Sequence, residues 1–294
     1  MLEFEDNIKL IYSEKGEKWL KDLPILQKNI AAHWNLRDLT PCADLSFNYA
    51  ASGWQGDLPV ILKIGIDLPA MRRECDAINA FKAHGIIKIL AYDLEKGAIL
   101  ITRAIPGETL ITLFPDRDTE ALRVACNLAT LLHQTSIPVV HNFPFLDDWL
   151  SIIDSDWQVP QQHLVLARKL KQQLLSNTSQ HVLLHGDMHY ANILSDGDSW
   201  IVIDPKGVIG DPLYDMTGAL LREPFKQMMQ LTDITQILLK RIEFIAQYCK
   251  VDTRLIWKWT YLQNVMSICW SLEDGEDVTR KIQFLDILHK CYLA

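Results

Sequence analysis

The stretch His185–Asp215, HGDMHYANILSDGDSWIVIDPKGVIGDPLYD, constrains the fold more than any other part of the chain. HVLLHGDMHYANIL reads as a short apolar strand, a polar turn and a second apolar strand ending at Leu194. SWIVIDPKG repeats the logic: the apolar run Trp200–Ile203 delivers Asp204 to its end, and Pro205 stops it. Asp187, Asn192 and Asp204 are thereby presented at one rim.

Three oxygen-bearing side chains on adjacent turns suit phosphoryl transfer. That reaction asks a protein for a carboxylate to orient an attacking hydroxyl and accept its proton. It also asks for Mg²⁺ to neutralise phosphate oxygens. Mg²⁺ takes oxygen ligands, commonly one or two carboxylates with a few further donors. Asp187 fits the base, and Asn192 and Asp204 fit the metal. Asp187 precedes Asn192 by five residues, the spacing of base and metal ligand in the kinase catalytic loop.

The N-terminal half supplies the complementary parts. Residues 16–36 have helical spacing (Trp19, Leu20, Leu23, Leu26, Ile30, Trp34), with Pro24 expected in the first turn of a second helix. Beta-prone runs at Leu45–Ala51 and Pro59–Ile66 flank an expected turn at Gly53–Asp57. Lys63 sits inside VILKI; it is either an edge-strand lysine in solvent or a buried cation that requires a partner. MRRECDAINAFKAHG then forms a helix with Met71, Cys75, Ile78 and Phe81 on one face, and Glu74 borders that face within reach of Lys63. Two more strand-like runs follow, separated by Glu95–Lys96–Gly97. This order is that of a kinase small lobe: Lys63 on the ATP phosphates, Glu74 holding Lys63, and the backbone from Thr102 to Ala104 against adenine.

Beyond Pro106 the pattern turns helical, beginning with the stripe Leu122, Ala125, Leu128, Ala129 and Leu132. The expected fold is α+β with two lobes, kinase-like. Residues 1–103 form an N-terminal lobe with the nucleotide-binding sheet and Lys–Glu pair. Residues 104–294 form a C-terminal lobe with the catalytic loop, metal site and acceptor site.

The motifs resemble a known family. HGDxHxxNIL followed by IDPKGxxGDPxYD resembles the aminoglycoside phosphotransferase branch of the protein-kinase-like fold. WxxIDPKGVIGDPxYD, LSFNYxA, VILKIG, the RRE helix and ITRAIPGETL resemble its aminoglycoside/hydroxyurea resistance kinases, the group that includes streptomycin 6-phosphotransferases. The resemblance spans residues 20–225 and implies Asp187 as base, Asn192 and Asp204 as Mg²⁺ ligands, and Lys63 and Glu74 as the ATP-positioning pair. It implies a streptomycin-like aminoglycoside as acceptor; a sugar, amino sugar or choline-like alcohol is the alternative, and a nucleotide-binding pseudokinase a third reading. Two departures stand out: no glycine loop precedes Lys63, and Pro205–Lys206 follow Asp204 where protein kinases have Phe-Gly, so activation-loop switching does not carry over.

Composition narrows the partners. A net charge of -8 argues against nucleic acid and permits a cationic small-molecule acceptor. The chain shows no basic-then-apolar leader and no run of roughly 20 apolar residues, so a cytoplasmic protein off the membrane is expected. Six scattered cysteines with no CxxC pair read as thiols in a reducing compartment. Oligomeric state leaves no mark on the sequence.

Several residues have structural readings instead. His181, His185 and His189 are four apart, but strand and turn spoil a zinc geometry; His185 is expected to brace the catalytic loop. His133 reads as a helix-end contact, Asp211–Pro212 as a cap, and Asp215 as a loop anchor. Lys206 fits either a phosphate or a carboxylate partner. Glu273–Asp277 reads as a solvated helix end or an attractor for cations, and Trp257, Trp259 and Trp270 as core.

Overall fold

The computed structural model describes residues 2–43, 45–81 and 85–293. The chain divides into two compact units, Met1–Lys82 with Ile86–Gly107, and Ala83–Gly85 with Glu108–Ala294.

The first unit opens with α1 (Leu2–His33), which contains one non-helical residue, Ser13 (φ 49°). The break therefore falls at Ser13, not ahead of Pro24 as expected. The second segment runs through Pro24 because its core face is continuous: Leu23, Ile30 and Trp34 are buried in one cluster, which outweighs the hydrogen bond that proline forfeits. Phe4 meets Trp19 edge-on, centroids 6.2 Å apart, so the two segments pack on each other.

An antiparallel sheet follows in the order β1-β2-β3-β5-β4, from β1 (Leu36–Pro41), β2 (Asn48–Gln55), β3 (Leu58–Gly65), β4 (Ile89–Asp93) and β5 (Ala98–Thr102), with α2 (Leu68–Phe81) between β3 and β4. Strand β1 was not expected. It carries Arg37, Asp38 and Pro41, the residues of an edge. The β2–β3 turn is also tighter than the sequence suggested: Gln55 pairs with Leu58, leaving only Gly56 and Asp57 in it. Gly53 instead lies within β2, where a Cβ would come 2.8 Å from the Arg37 carbonyl, so the glycine serves the close approach of β1.

Strand β6 (Pro106–Thr109) leads into the second unit, which holds α3 (Asp118–Leu132), α4 (Leu146–Leu150), α5 (Gln161–Asn177), β7 (Val182–Leu184), β8 (Ile193–Asp196), β9 (Ser199–Val202), β10 (Val208–Gly210), α6 (Gly218–Arg222), α7 (Phe225–Met228), α8 (Ile234–Cys249), α9 (Thr253–Glu273) and α10 (Thr279–Leu293). The expected α3 stripe is buried throughout. Helix α9 buries residues on every side, Trp257, Trp259 and Tyr261 included, and packs against α5, α6, α8 and α10 as the unit's axis. Strands β8 and β9 pair in register from Ile193↔Val202 to Asp196↔Ser199, and β10 pairs antiparallel with β7. At three residues β10 is too short for periodicity to reveal. All six cysteines are free thiols, and no helix among the described residues is long and apolar enough to cross a membrane.

Candidate active site

In the first unit, Lys63 lies on β3 between β2 and β5, paired with Ala50 and Ile99. Its Nζ sits 2.8 Å from both carboxylate oxygens of Glu74, which α2 brings over the sheet. Side-chain exposure of 6% and 9% rules out the solvent-edge reading. A buried ion pair costs desolvation energy that a well-packed hydrophobic pair would not, so stability gives no reason to keep one here. Placement of an ammonium does. Thr102 ends β5 with its amide donated to the Lys88 carbonyl and its hydroxyl accepting from the Lys88 amide; Ala104 beyond it is buried.

The second unit assembles Asp187, Asn192 and Asp204 around His185, which β7 delivers to a fully buried position. His185 Nε2 lies 2.8 Å from the Ile203 carbonyl, which can only accept, so Nε2 carries the proton. Nδ1 is left to accept the Asp187 amide at 3.1 Å. Burial pushes the His185 pKa down against the fields of Asp215 and Asp187, which keeps the ring neutral and this tautomer intact. One imidazole thus ties the residue before Asp204 to the amide of Asp187.

A second tie comes from Asp215, 2% exposed: Oδ2 accepts the His185 amide (2.8 Å) and faces His133 Nε2 (2.9 Å), while Oδ1 accepts the Gly186 amide (2.9 Å). Gly186 takes φ 84°, and a Cβ there would come 2.9 Å from the Trp149 ring, so only glycine serves the turn before Asp187.

Asn192 ends its short helical turn with Nδ2 donated to the Asp187 carbonyl (3.0 Å), which leaves its Oδ1 as an acceptor. The Ile203 amide donates to the Asn192 carbonyl at 2.9 Å, setting Asn192 beside the end of β9. Asp204 follows with φ 60°, an unusual conformation for a residue other than glycine and one that aspartate tolerates better than most. An amide oxygen with a carboxylate is a hard-oxygen donor set of the kind that Mg²⁺ takes alongside water and phosphate oxygens, so these residues fit that ion.

The Asp187 carboxylate is 36% exposed, with His189 Nε2 3.6 Å from Oδ1 and Lys206 Nζ 3.7 Å from Oδ2. Burial works to raise its pKa, but the lowering influence of His189, Lys206 and His185 together outweighs burial and the repulsion of Asp204, and the net shift is downward. Asp187 is therefore ionised at neutral pH, and Lys206 stands beside a carboxylate.

Two features had no signal in the sequence. The first is a network under the loop. Arg241, 1% exposed, donates to both carboxylate oxygens of Asp118 (2.9 and 2.6 Å) and to the carbonyls of Leu221 and Glu223 (2.8 and 2.7 Å). Tyr190, within the loop, donates to Asp118 at 3.2 Å. The second is a cavity of about 140 Å³ beside Asp187, walled by Tyr214, Arg222, Met266, Ser267 and Trp270. Trp270 is a correction: it is half-buried and lines this cavity, whereas Trp257 and Trp259 are core. Helical spacing cannot separate the two cases, because α9 buries residues on every side. The acidic run is also more committed than expected, since Glu276 accepts from Ser271 and Lys281, and Asp277 from the Thr279 amide.

The fold is the two-lobe α+β architecture of protein-kinase-like enzymes. Aminoglycoside phosphotransferase APH(4)-Ia superposes with a TM-score of 0.67 at 16% identity, over 92% of this chain and 98% of its own. Choline kinase LicA from Streptococcus pneumoniae gives 0.65 at 16%, over 91% and 98%. A family model for aminoglycoside/hydroxyurea antibiotic resistance kinases matches residues 55–275, and the chain belongs to that family. By class it is a phosphotransferase, and the family implies use of a nucleotide and Mg²⁺. A curated relative, streptomycin 6-kinase of Streptomyces glaucescens, is 25% identical over 284 residues, 90% of this chain and 88% of that protein.

Proposed function

We propose that the protein transfers the γ-phosphate of ATP to an alcohol hydroxyl of a small molecule, and that a streptomycin-like aminoglycoside is the first acceptor to test. The observation that carries the phosphotransfer reading is the coupling of Asp187 to the end of the strand before Asp204 through one neutral, buried histidine, with Asn192 bonded directly to the Asp187 carbonyl. In this reading Asp187 orients the acceptor hydroxyl and takes its proton as the oxygen attacks phosphorus. Asn192 and Asp204 would hold Mg²⁺, which would supply charge neutralisation for the transferred phosphate. Lys63, steadied by Glu74, contacts the nucleotide phosphates, and the backbone from Thr102 to Ala104 meets the adenine. Residues 1–103 then carry the nucleotide-binding parts and 104–294 the catalytic loop, metal and acceptor sites. The relatives named for streptomycin support the aminoglycoside.

The test is phosphorylation of an acceptor panel with Mg-ATP, read by product mass. Asp187→Asn is expected to lower kcat at least about 100-fold with ATP affinity retained. Asp204→Asn is expected to weaken Mg²⁺-dependent nucleotide binding. Full activity in either variant overturns the assigned roles.

A second reading, a kinase for a sugar or other less cationic alcohol, is favoured by one observation. The cavity beside Asp187 carries an arginine and no carboxylate besides Asp187 itself.

A further inference from the structure

Lys206 and Asp187 are neighbours that stop short of bonding. The ammonium lies 3.7 Å from Asp187 Oδ2, beyond hydrogen-bond reach, and its side chain is 49% exposed. Among the described residues none accepts a hydrogen bond from its three donors. Lys63 shows the contrast: its buried Nζ is spent on both Glu74 oxygens at 2.8 Å. A lysine kept only to neutralise a carboxylate closes on it in that way, and Lys206 does not.

The backbone under Lys206 is fixed, while its four-carbon stem is free to turn. Its amide donates to the His185 carbonyl at 2.7 Å, and a Cβ added to Gly186 would stand 3.3 Å from its own Cβ. His185 is the residue whose ring joins the Asp187 amide to the Ile203 carbonyl. Lys206 is thus anchored to the frame of the proposed base, two residues beyond the proposed Mg²⁺ ligand Asp204. It does not line the cavity walled by Arg222 and Trp270, so an acceptor seated there meets other side chains. In the phosphotransfer reading, the phosphate in transit lies between Asp187 and the Asn192–Asp204 pair, on the side that Lys206 serves.

The other oxygen of Asp187 has its own neighbour. His189 Nε2 lies 3.6 Å from Oδ1, and Nδ1 is buried with no hydrogen-bond partner among the described residues. A proton on Nδ1 would be a buried, unpaired donor and would leave the Nε2 lone pair facing a carboxylate. The neutral ring therefore carries its proton on Nε2, beside Oδ1, and steadies Asp187 from that side whatever Lys206 does.

We infer that Lys206 is a further catalytic residue: it rests beside Asp187 Oδ2, swings to the γ-phosphate oxygens when the nucleotide binds, and so clears Oδ2 for the acceptor hydroxyl. The inference rests on the phosphotransfer reading and adds a residue to it. In the transfer the hydroxyl oxygen forms the new bond to phosphorus, and the hydroxyl proton goes to Oδ2. The bond from phosphorus to the bridging oxygen breaks, its electron pair leaving with ADP. Lys206 keeps its protons and offsets the charge on the equatorial oxygens.

The experiment titrates Mg-ADP and Mg-AMP-PNP calorimetrically into wild type, Lys206→Met and Lys206→Arg, and measures kcat with an acceptor that the wild type phosphorylates. Lys206→Met is expected to weaken Mg-AMP-PNP about tenfold while Mg-ADP binds as in wild type, because only the first carries a γ-phosphate. Its kcat is expected to fall about 100-fold with the acceptor KM unchanged, and Lys206→Arg to restore most of both losses. The ratio of the two affinities within one variant does not depend on how much of it folds. An unmoved ratio in Lys206→Met, or an equal loss of both nucleotides, overturns the inference and leaves the kinase reading standing on wild-type turnover. If the wild type binds neither nucleotide, the inference falls together with the kinase reading.

Discussion

Replacing Asp215 with asparagine removes one charge and almost no volume from the underside of the catalytic loop. The carboxylate takes the amides of His185 and Gly186 and faces His133, all at 2.8–2.9 Å. An asparagine can keep its oxygen toward His185 and His133, but its NH₂ then points at the Gly186 amide, donor against donor. One charge-assisted bond is lost, at about 2 kcal/mol, and two more fall from charged to neutral strength, at about 1 kcal/mol each. The sum, about 4 kcal/mol, agrees with the cost of breaking a buried ionic contact and corresponds to a fall in Tm of roughly 8–16 °C. Gly186 is the residue before Asp187, so a displacement of the turn also carries the proposed base out of line, and a shift of about 1 Å costs roughly 100-fold in rate. Thermal and urea unfolding measure the first effect, and kcat at saturating ATP below the melting range measures the second. His133→Ala, which deletes one contact and leaves both amides bonded, should lose less than half as much stability. If Asp215→Asn melts within about 2 °C of wild type and turns over normally, Asp215 does not anchor the loop.

Glu74→Gln should raise the KM for ATP and destabilise the first unit by about 3–5 kcal/mol, because it removes the carboxylate charge that lies 2.8 Å from the buried Lys63 ammonium. The double variant Lys63→Met, Glu74→Leu should regain the stability but not the nucleotide binding; calorimetric ATP titration beside urea unfolding separates the two. His163 provides a pH test. Burial lowers its pKa despite the hydrogen bond to Asp286, so the unfolded chain takes up the proton first as pH falls below about 6.5. Stability should decline from that point toward the lower folded value, and His163→Gln should flatten this part of the curve; equal slopes in urea midpoints between pH 7.5 and 5.5 would falsify the assignment.

What could be read from the residues was whatever depends on local spacing. The runs that end at Asp187 and Asp204 announce strands delivering oxygens, and a lysine inside VILKI asks for the acid that α2 supplies. Strands β1 and β10 were hidden for opposite reasons: one looks polar because it lies at an edge, and the other is too brief to show a period. Ser13 broke α1 where Pro24 did not, since the deciding factor was which face met the core. The Arg241–Asp118 pair lies 123 positions apart in the chain, and nothing local joins the two. Trp270 differs from Trp257 and Trp259 only in what the neighbouring helices leave uncovered.

Arg241 has one more consequence. One end of its guanidinium grips Asp118, to which Tyr190 of the catalytic loop is bonded, and the other grips the carbonyls of Leu221 and Glu223 on either side of Arg222. A single planar group therefore acts as a gauge block between the loop that carries Asp187 and the cavity wall that carries Arg222. That spacing is set from α8, by a residue that lines no part of the cavity.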